Sequence, residues 1–182
     1  NQNGANLVNI MNYQKTILFE MFVRSEIKTP QDLKGKKMGI NRFGATAESM
    51  SRIMLKNLGL DPYKDMTFVQ VGGGPDRILA LMNNVVQASL FSPPEPVKLA
   101  KEPTLRLLAK LSDQGVVYPY LNLVTSRKYL KDRPDIIRSF VKGYIESLKF
   151  YAASKQESTE IIAKWLRIKD KELVDYVHKT TS

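Results

Sequence analysis

Short apolar runs alternate along this chain with longer segments in which apolar residues recur every three or four positions. The runs have the length of β-strands, and the recurrence is typical of amphipathic helices. Between residues 35 and 110, three strand–loop–helix units follow one another with short connections, which predicts a mostly parallel sheet with right-handed crossovers. The strands predicted in this α/β core are 37–41, 67–71, 87–91 and 105–110.

The segments that flank this core have a different character. Before it, residues 7–11 and 17–24 predict two strands, the second rich in β-branched and aromatic residues. After it come a predicted strand and three predicted helical segments, at 116–126, from Pro134 onward, at 157–166 and at 171–178. We therefore expect an α/β core between a β-strand lead-in and a helical final part.

The composition of the 182 residues removes most kinds of catalytic site. Cysteine is absent, which excludes disulfides, thiolate metal sites and cysteine nucleophiles. His178 is the single histidine, so a metal site built from several histidines is excluded as well. Asp61, Asp65 and Asp76 are not spaced as an acid–base pair and are interpreted as caps or surface charges. We therefore expect a protein that is not an enzyme, with no catalytic residues, no metal and no cofactor.

The chain is basic, with a net charge of +10 from 28 basic and 18 acidic side chains. However, its middle third, residues 61–120, is neutral, with six residues of each sign, and no basic run is longer than two residues. A basic surface in contact with solvent explains this distribution better than a nucleic-acid site. No nucleic-acid partner is predicted.

Three loops rich in glycine or proline follow the ends of predicted strands. The loop at 43–46 leads into a helix predicted at 44–58, whose first turn offers free N–H groups to an anion. An ordinary N-cap by Gly44 or Thr46 explains the same residues. The glycines at 72–74 repeat this arrangement, and they are explained equally by a turn that keeps a small binding cleft open and by a flexible turn. In the third loop, 92–95, two prolines are expected to prevent a helix from starting at once. Ligands of open α/β sheets bind at such strand ends.

The same segments resemble a known family. Residues 32–40 (DLKGKKMGI) closely resemble the segment that leads into the second lobe of bacterial ABC-transporter solute-binding proteins. The segments after them are similar to the nitrate/sulfonate/taurine branch, which also holds binders of thiamine-pyrimidine precursors. They are GAT at 44–46, LGLDP at 58–62, VQVGG at 69–73, LFSPP at 90–94, YP at 118–119 and LVTSR at 123–127.

This resemblance implies the α/β, two-lobed type II periplasmic-binding fold, in which the lobes close on a solute. Residues 1–22 are expected to form part of lobe one, 23–115 lobe two, and 116–182 the return strand and helices of lobe one. The links between the lobes are expected at 22–25 and 113–118, and closure of the lobes would rotate them about these links.

The family's first strand and first helix are expected to precede Asn1, so that the chain would be a fragment of the two-lobed fold. In that case the long helix from Pro134 should expose its apolar stripe.

The resemblance also implies a ligand-binding cleft between the lobes. Its expected residues are Asn12, Tyr13 and Gln14 from lobe one, and Phe43, Gly44, Ala45, Thr46, Gly73, Gly74 and Ser92 from lobe two. A small organic anion, such as a sulfonate or carboxylate, would be held by the 44–46 amides and the Thr46 hydroxyl. Phe43 and Tyr13 would cover its apolar part, although the same aromatic rings would also stack on a neutral pyrimidine.

The function implied is that of an extracytoplasmic solute-binding protein, periplasmic or lipid-anchored, which delivers a small molecule to an ABC permease in the membrane. The alternative is the effector-sensing domain of a cytoplasmic transcription regulator with the same fold. A helix-turn-helix before Asn1 would indicate the regulator, whereas a signal peptide or lipoprotein cysteine would indicate the transporter. Related pyrimidine-precursor synthases use cysteine and histidine around iron, and this composition disfavours that chemistry.

Overall fold

The computed structural model describes residues 6–181, which form seven strands and seven α-helices. The strands are β1 (Leu7–Thr16), β2 (Glu20–Arg24), β3 (Lys36–Ile40), β4 (Met66–Gln70), β5 (Ala88–Phe91), β6 (Leu105–Lys110) and β7 (Val117–Ser126). The helices are α1 (Thr46–Asn57), α2 (Gly74–Met82), α3 (Glu95–Leu99), α4 (Arg127–Asp132), α5 (Pro134–Ala153), α6 (Lys155–Leu166) and α7 (Lys171–Thr181). The strands predicted in the α/β core are all present, with bounds within two residues of the predicted ones.

The chain divides into two compact units. Unit two is Leu18–Val116, and unit one is made of the residues before and after it, Asn1–Ile17 and Val117–Ser182. The predicted boundary at 22/23 falls inside β2, whose residues pair with β5 on one side and β6 on the other. Because a strand in the middle of a sheet cannot be divided between two units, residues 18–22 belong to unit two.

This division also changes the expected links. The first predicted link, 22–25, begins within β2, whereas the chain passes between the units at Ile17–Leu18. The second passage, at Val116–Val117, lies within the predicted segment 113–118. That the units are the two lobes of a closing protein stays a prediction.

Unit two is built on a five-stranded sheet in the order β4-β3-β5-β2-β6. β3 runs parallel to both β4 and β5, whereas β2 runs antiparallel to β5 and β6. The sheet is therefore mostly parallel, as predicted, with β2 as its one reversed strand. The burial of β5 and of the central residues of β2 follows from their inner places in this sheet.

The core of unit two lies between this sheet and its helices. Phe22 of β2 and Phe91 of β5 meet edge to face with their ring centroids 6.3 Å apart, and Leu81 of α2 packs into the same cluster. Met50 and Met54 of α1 are 2% and 0% exposed and belong to the buried residues of this unit.

Two local predictions are wrong. Residues 17–24 do not form one strand, because β1 ends at Thr16 and β2 begins at Glu20. The two prolines of the third loop, Pro93 and Pro94, do not delay a helix, because α3 begins at Glu95 directly after them, with Pro94 as its N-cap. Proline lacks an N–H group, which the start of a helix does not need, so Pro94 is compatible with this position, and so is Pro96 in the first turn.

Unit one combines the antiparallel β1–β7 pair with α4–α7. Ile162 of α6 and Val174 and Val177 of α7 form a small buried cluster. No residue of α5 is buried, and Phe140 is 54% exposed. The apolar stripe of α5 is thus only partly covered, with Phe140 and Leu148 exposed and its other members half-buried. Among the described helices, none combines the length and the apolar character needed to cross a membrane.

Candidate functional site

Three loops leave the sheet of unit two at one edge. They are the α1 loop (41–45), the α2 loop (71–73) and the α3 loop (92–94), which follow β3, β4 and β5. Because β3 lies between two strands that run parallel to it, the carboxyl ends of all three strands meet at this edge. This is the edge at which open α/β sheets bind ligands.

The α1 loop turns sharply and presents free backbone amides. Gly44 has a φ of +76°, which a residue with a β-carbon rarely adopts. Ala45 is the N-cap of α1 and supplies no side-chain cap, so neither Gly44 nor Thr46 is the cap that the sequence suggested. Within the described chain, the amides of Ala45, Thr46 and Ala47 donate to no other group. They are the unused donors of the first helical turn.

A carboxylate from α1 fixes this loop. The Gly44 N–H donates to Oε2 of Glu48 over 2.7 Å, and Oε1 of Glu48 accepts from Arg52 Nη2 over 2.7 Å and Nε over 2.9 Å. The Gly44 hydrogen bond, and then the Arg52 guanidinium, lower the pKa of the Glu48 carboxyl. Neither Glu48 nor Arg52 is among the predicted site residues, although their i,i+4 spacing on a helix is a detectable signal.

The α2 loop is held in a similar way, although its carboxylate, that of Asp76, forms no ion pair within the described part of the chain. Gly72 has a φ of +125°, and the N–H of Gly73 donates to Oδ2 of Asp76 over 2.9 Å. The interpretation of Asp76 as a cap is therefore confirmed. Pro75 has no N–H group, so the first turn of α2 offers fewer free amides than that of α1.

The α2 and α3 loops meet at Gly74. A β-carbon on residue 74 would lie 2.9 Å from Oε1 of Glu95, so the glycine leaves room for this carboxylate. The N–H of Glu95 donates to the Ser92 carbonyl over 3.2 Å, which fixes the turn that contains Ser92.

Arg77 connects the α2 loop and the end of β5 through hydrogen bonds. Its Nη1 donates to the Leu90 carbonyl over 2.6 Å and its Nε to the Gly73 carbonyl over 3.3 Å. The guanidinium lies 5.1 Å from the centroid of the Phe91 ring. Burial lowers the pKa of Arg77, and the nearby charge of Glu95 opposes that effect. Arg77 is not among the predicted site residues, because nothing in the local sequence pattern distinguishes it from a surface arginine.

The structure thus brings together seven of the predicted residues in unit two: Phe43, Gly44, Ala45, Thr46, Gly73, Gly74 and Ser92. Phe43 is 54% exposed, and its N–H donates to Oε1 of Gln70 over 3.4 Å, which joins the α1 loop to the end of β4. Thr46 is exposed at the start of α1.

The other three predicted residues lie on β1 in unit one. Nδ2 of Asn12 donates to Oδ1 of Asn122 over 3.0 Å and to the Leu121 carbonyl over 3.1 Å, whereas its buried Oδ1 has no hydrogen-bond partner in the described chain. The ring of Tyr13 packs against Tyr144 at 5.1 Å. Gln14 pairs with Leu121 in the β1–β7 register. That these residues face the loops of unit two stays a prediction.

The two helix starts differ in their electrostatics. Glu48 at the α1 loop is paired with Arg52, so the loop keeps free amides beside a neutralised acid. At the α2 loop two carboxylates, those of Asp76 and Glu95, stand against a single cation, Arg77, whose charge interacts with that of Glu95. An anion is therefore better accommodated at the α1 loop. Among residues 6–181, no group of three or more acidic or histidine side chains could hold a metal ion.

The architecture is that of type II periplasmic binding proteins. The chain superimposes with a TM-score of 0.80 on the alkanesulfonate-binding protein SsuA from Xanthomonas axonopodis pv. citri bound to MOPS, at 19% identity, covering 97% of this chain and 60% of that one. The periplasmic aliphatic sulphonate binding protein SsuA from Escherichia coli gives the same TM-score of 0.80 and 19% identity, with 97% and 56% covered.

The ligand-binding component of an ABC-type import system from Staphylococcus aureus, solved with zinc bound, has a TM-score of 0.73 at 16% identity, with 98% and 60% covered. The chain therefore spans at most about 60% of the length of these structures.

The model of the NMT1/THI5-like family matches residues 1–158, so the chain belongs to that family. No curated protein matches the sequence. The family resemblance predicted from the sequence motifs is confirmed, and so is the type II periplasmic-binding fold.

Proposed function

We propose that this chain is the ligand-binding part of an extracytoplasmic solute-binding protein of an ABC importer, and that its ligand is a small organic anion. The observation that carries the proposal is the α1 loop, where free first-turn amides stand at the ligand-binding edge of the sheet beside a neutralised carboxylate. The family and the similarity to sulfonate-binding and other import proteins support it.

The anionic head is expected at the start of α1. The amides of Ala45, Thr46 and Ala47 and the Thr46 hydroxyl would donate to its oxygens, and the helix dipole would favour its charge. The exposed ring of Phe43 offers an apolar surface beside this position. A sulfonate or carboxylate with a short apolar tail fits this combination of donors and aromatic surface.

The rest of the proposed function concerns the complete protein. It would release the bound anion to a permease in the membrane without changing it chemically. An extracytoplasmic location, with or without a lipid anchor, follows from that role.

A ligand screen on the full-length protein tests the proposal. Sulfonates, carboxylates, nitrate and pyrimidines are compared by thermal shift, and a tight ligand at about 100 times its Kd should stabilise the protein by about 2.7 kcal/mol. Thr46→Ala should weaken the best anion about tenfold, because one hydrogen bond to a charged group is lost. The matched control is Thr67→Ala, which should leave the affinity unchanged. Thr67 is an exposed threonine near the amino end of β4, whereas the candidate site lies at the carboxyl end of that strand.

Two results would contradict this assignment. One is a screen in which only sugars or cations raise the melting temperature. The other is a Thr46→Ala variant that binds the best anion as tightly as the parent protein. A screen in which only pyrimidines bind would support a solute-binding role and reject the anion.

A further inference from the structure

The Glu48–Arg52 pair at the α1 loop is more constrained than an ordinary surface ion pair. The guanidinium donates to one carboxylate oxygen through two nitrogen atoms, at 2.7 and 2.9 Å. The side chains of Arg52 and Glu48 are only 20% and 14% exposed. Charged hydrogen bonds shielded from solvent in this way are stronger and less screened than exposed pairs.

Arg52 is also held from two other directions. Its Nη1 donates to the Pro62 carbonyl over 3.0 Å. Its guanidinium carbon lies 4.3 Å from the ring centroid of Tyr63 and 4.1 Å from that of Phe68. Stacking on two aromatic rings fixes the plane of a guanidinium group, and a lysine at this position could not reproduce it.

The position of Glu48 creates a conflict at the proposed anion site. Its carboxylate accepts the Gly44 N–H at the amino end of α1, where a negative charge stabilises the helix. The same charge would repel an anion bound at the neighbouring amides of Ala45–Ala47. A cation that pairs with Glu48 removes this repulsion while the hydrogen bond to Gly44 remains.

We propose that Arg52 is a positioning residue for the anion site: it orients Glu48 toward the Gly44 amide and neutralises the carboxylate, so that the α1 loop keeps its shape and still accepts an anion. This inference rests on the proposed function. It assigns Arg52 a role that is exerted through Glu48.

The proposal predicts a pattern that depends on charge. In Arg52→Gln the Glu48 carboxylate is left uncompensated, so the affinity for an anion should fall about tenfold. In the double variant Glu48→Gln/Arg52→Gln the pair carries no charge, and the introduced side-chain amide keeps a carbonyl oxygen that can accept the Gly44 N–H. The affinity of the double variant should therefore return to within about threefold of the parent protein. A purely structural role would leave the double variant as weak as Arg52→Gln, or weaker.

The test is calorimetric titration of ethanesulfonate into the full-length protein and these variants. Lys110→Gln serves as the control, because Lys110 pairs with Glu20 over 3.1 Å in the same unit and its loss changes the net charge equally. Circular dichroism checks that each variant is folded. Loss in Arg52→Gln with recovery in the double variant supports the proposal. An unchanged Arg52→Gln, a double variant that does not recover, or an equal loss in Lys110→Gln overturns it.

A second measurement separates this proposal from the proposed function. Exchange of the Gly44 amide with water, followed by NMR without ligand, should be about tenfold faster in Arg52→Gln and unchanged in Lys110→Gln, because Glu48 is no longer held against that amide. If the parent protein does not bind ethanesulfonate but Gly44 behaves in this way, the anion is wrong and the positioning of the loop by Arg52 stands. An unchanged exchange rate in Arg52→Gln overturns the positioning role itself.

Discussion

Gly72 is the glycine of the candidate site at which substitution by alanine should reduce the free energy of unfolding most. Its φ of +125° is a conformation that residues with a β-carbon rarely adopt. A β-carbon there would also lie 2.6 Å from Oδ2 of Asp76, far inside van der Waals contact. The neighbouring Gly73 is the matched control, because its φ is −64° and its β-carbon would lie 3.6 Å from the same oxygen.

Two costs combine in Gly72→Ala. Holding a residue other than glycine in this backbone region costs about 1–3 kcal/mol. Moving Asp76 away from the new methyl group breaks its hydrogen bond with the Gly73 N–H, a cap interaction worth about 1 kcal/mol. The free energy of unfolding should therefore fall by about 2–4 kcal/mol in Gly72→Ala, whereas Gly73→Ala should lose less than about 1 kcal/mol.

The two costs can be separated in an Asp76→Ala background. There the contact with the carboxylate is gone, so adding Gly72→Ala should cost only the backbone share, about 1–3 kcal/mol. Urea unfolding followed by circular dichroism gives these free energies, and amide exchange shows whether the loss falls in unit two. If Gly73→Ala loses as much stability as Gly72→Ala, or if Gly72→Ala loses almost none, the assignment of strain to this backbone position is incorrect.

Three further measurements follow from the packing and ionisation of single side chains. Leu81→Ala should reduce the free energy of unfolding by about 2–5 kcal/mol, because Leu81 is 0% exposed. The control Leu79→Ala, at a position that is 58% exposed, should change the free energy of unfolding by less than about 0.5 kcal/mol. Equal losses in the two variants would contradict the assignment of Leu81 to the core. Ser89→Ala should cost roughly 1–3 kcal/mol, since the buried hydroxyl donates to the Gly39 carbonyl over 2.8 Å, and a neutral result would mean that this bond contributes nothing. Burial raises the pKa of Tyr144 to about 12 from an ordinary value of about 10. The stabilisation that comes from this shift is therefore complete below about pH 10 and is lost as the pH rises through about 12. An ultraviolet titration of the parent protein compared with Tyr144→Phe measures the shift, and a Tyr144 that titrates at the ordinary value would contradict it.

The α/β core was predictable because its signals are local. The strands and helices of unit two follow from apolar periodicity, and the place of the loops follows from parallel strands with short connections. The motif at 32–40 and those after it were sufficient to predict the family. These predictions needed no knowledge of which residues are distant in sequence but close in space.

The missed features are those that depend on such distant contacts. The start of unit two at Leu18 depends on the pairing of β2 between β5 and β6, which cannot be read from residues 17–24 alone. Arg77 belongs to the site only because α2 packs against β5, which brings its guanidinium to the Leu90 carbonyl. Likewise, the stacking of Arg52 on Phe68 joins α1 to β4, and the apolar pattern of either element alone does not indicate this contact.

The two glycine loops show what a motif leaves undetermined. By sequence, 43–46 and 72–74 look equivalent, since each follows a strand and opens a helix without bulky side chains. In the structure the loop at 43–46 keeps free amides beside Glu48, whose carboxylate is paired with Arg52. In the loop at 72–74, the Gly73 amide donates to Asp76, and Gly74 lies against the Glu95 carboxylate. A ligand with one anionic head is therefore expected to bind in a single orientation, with its charge at α1 and its hydrogen-bond donors toward α2. The difference arises from the balance of charges, because one carboxylate faces Arg52 at the first loop, whereas two carboxylates share Arg77 at the second. No pattern of glycines encodes that balance.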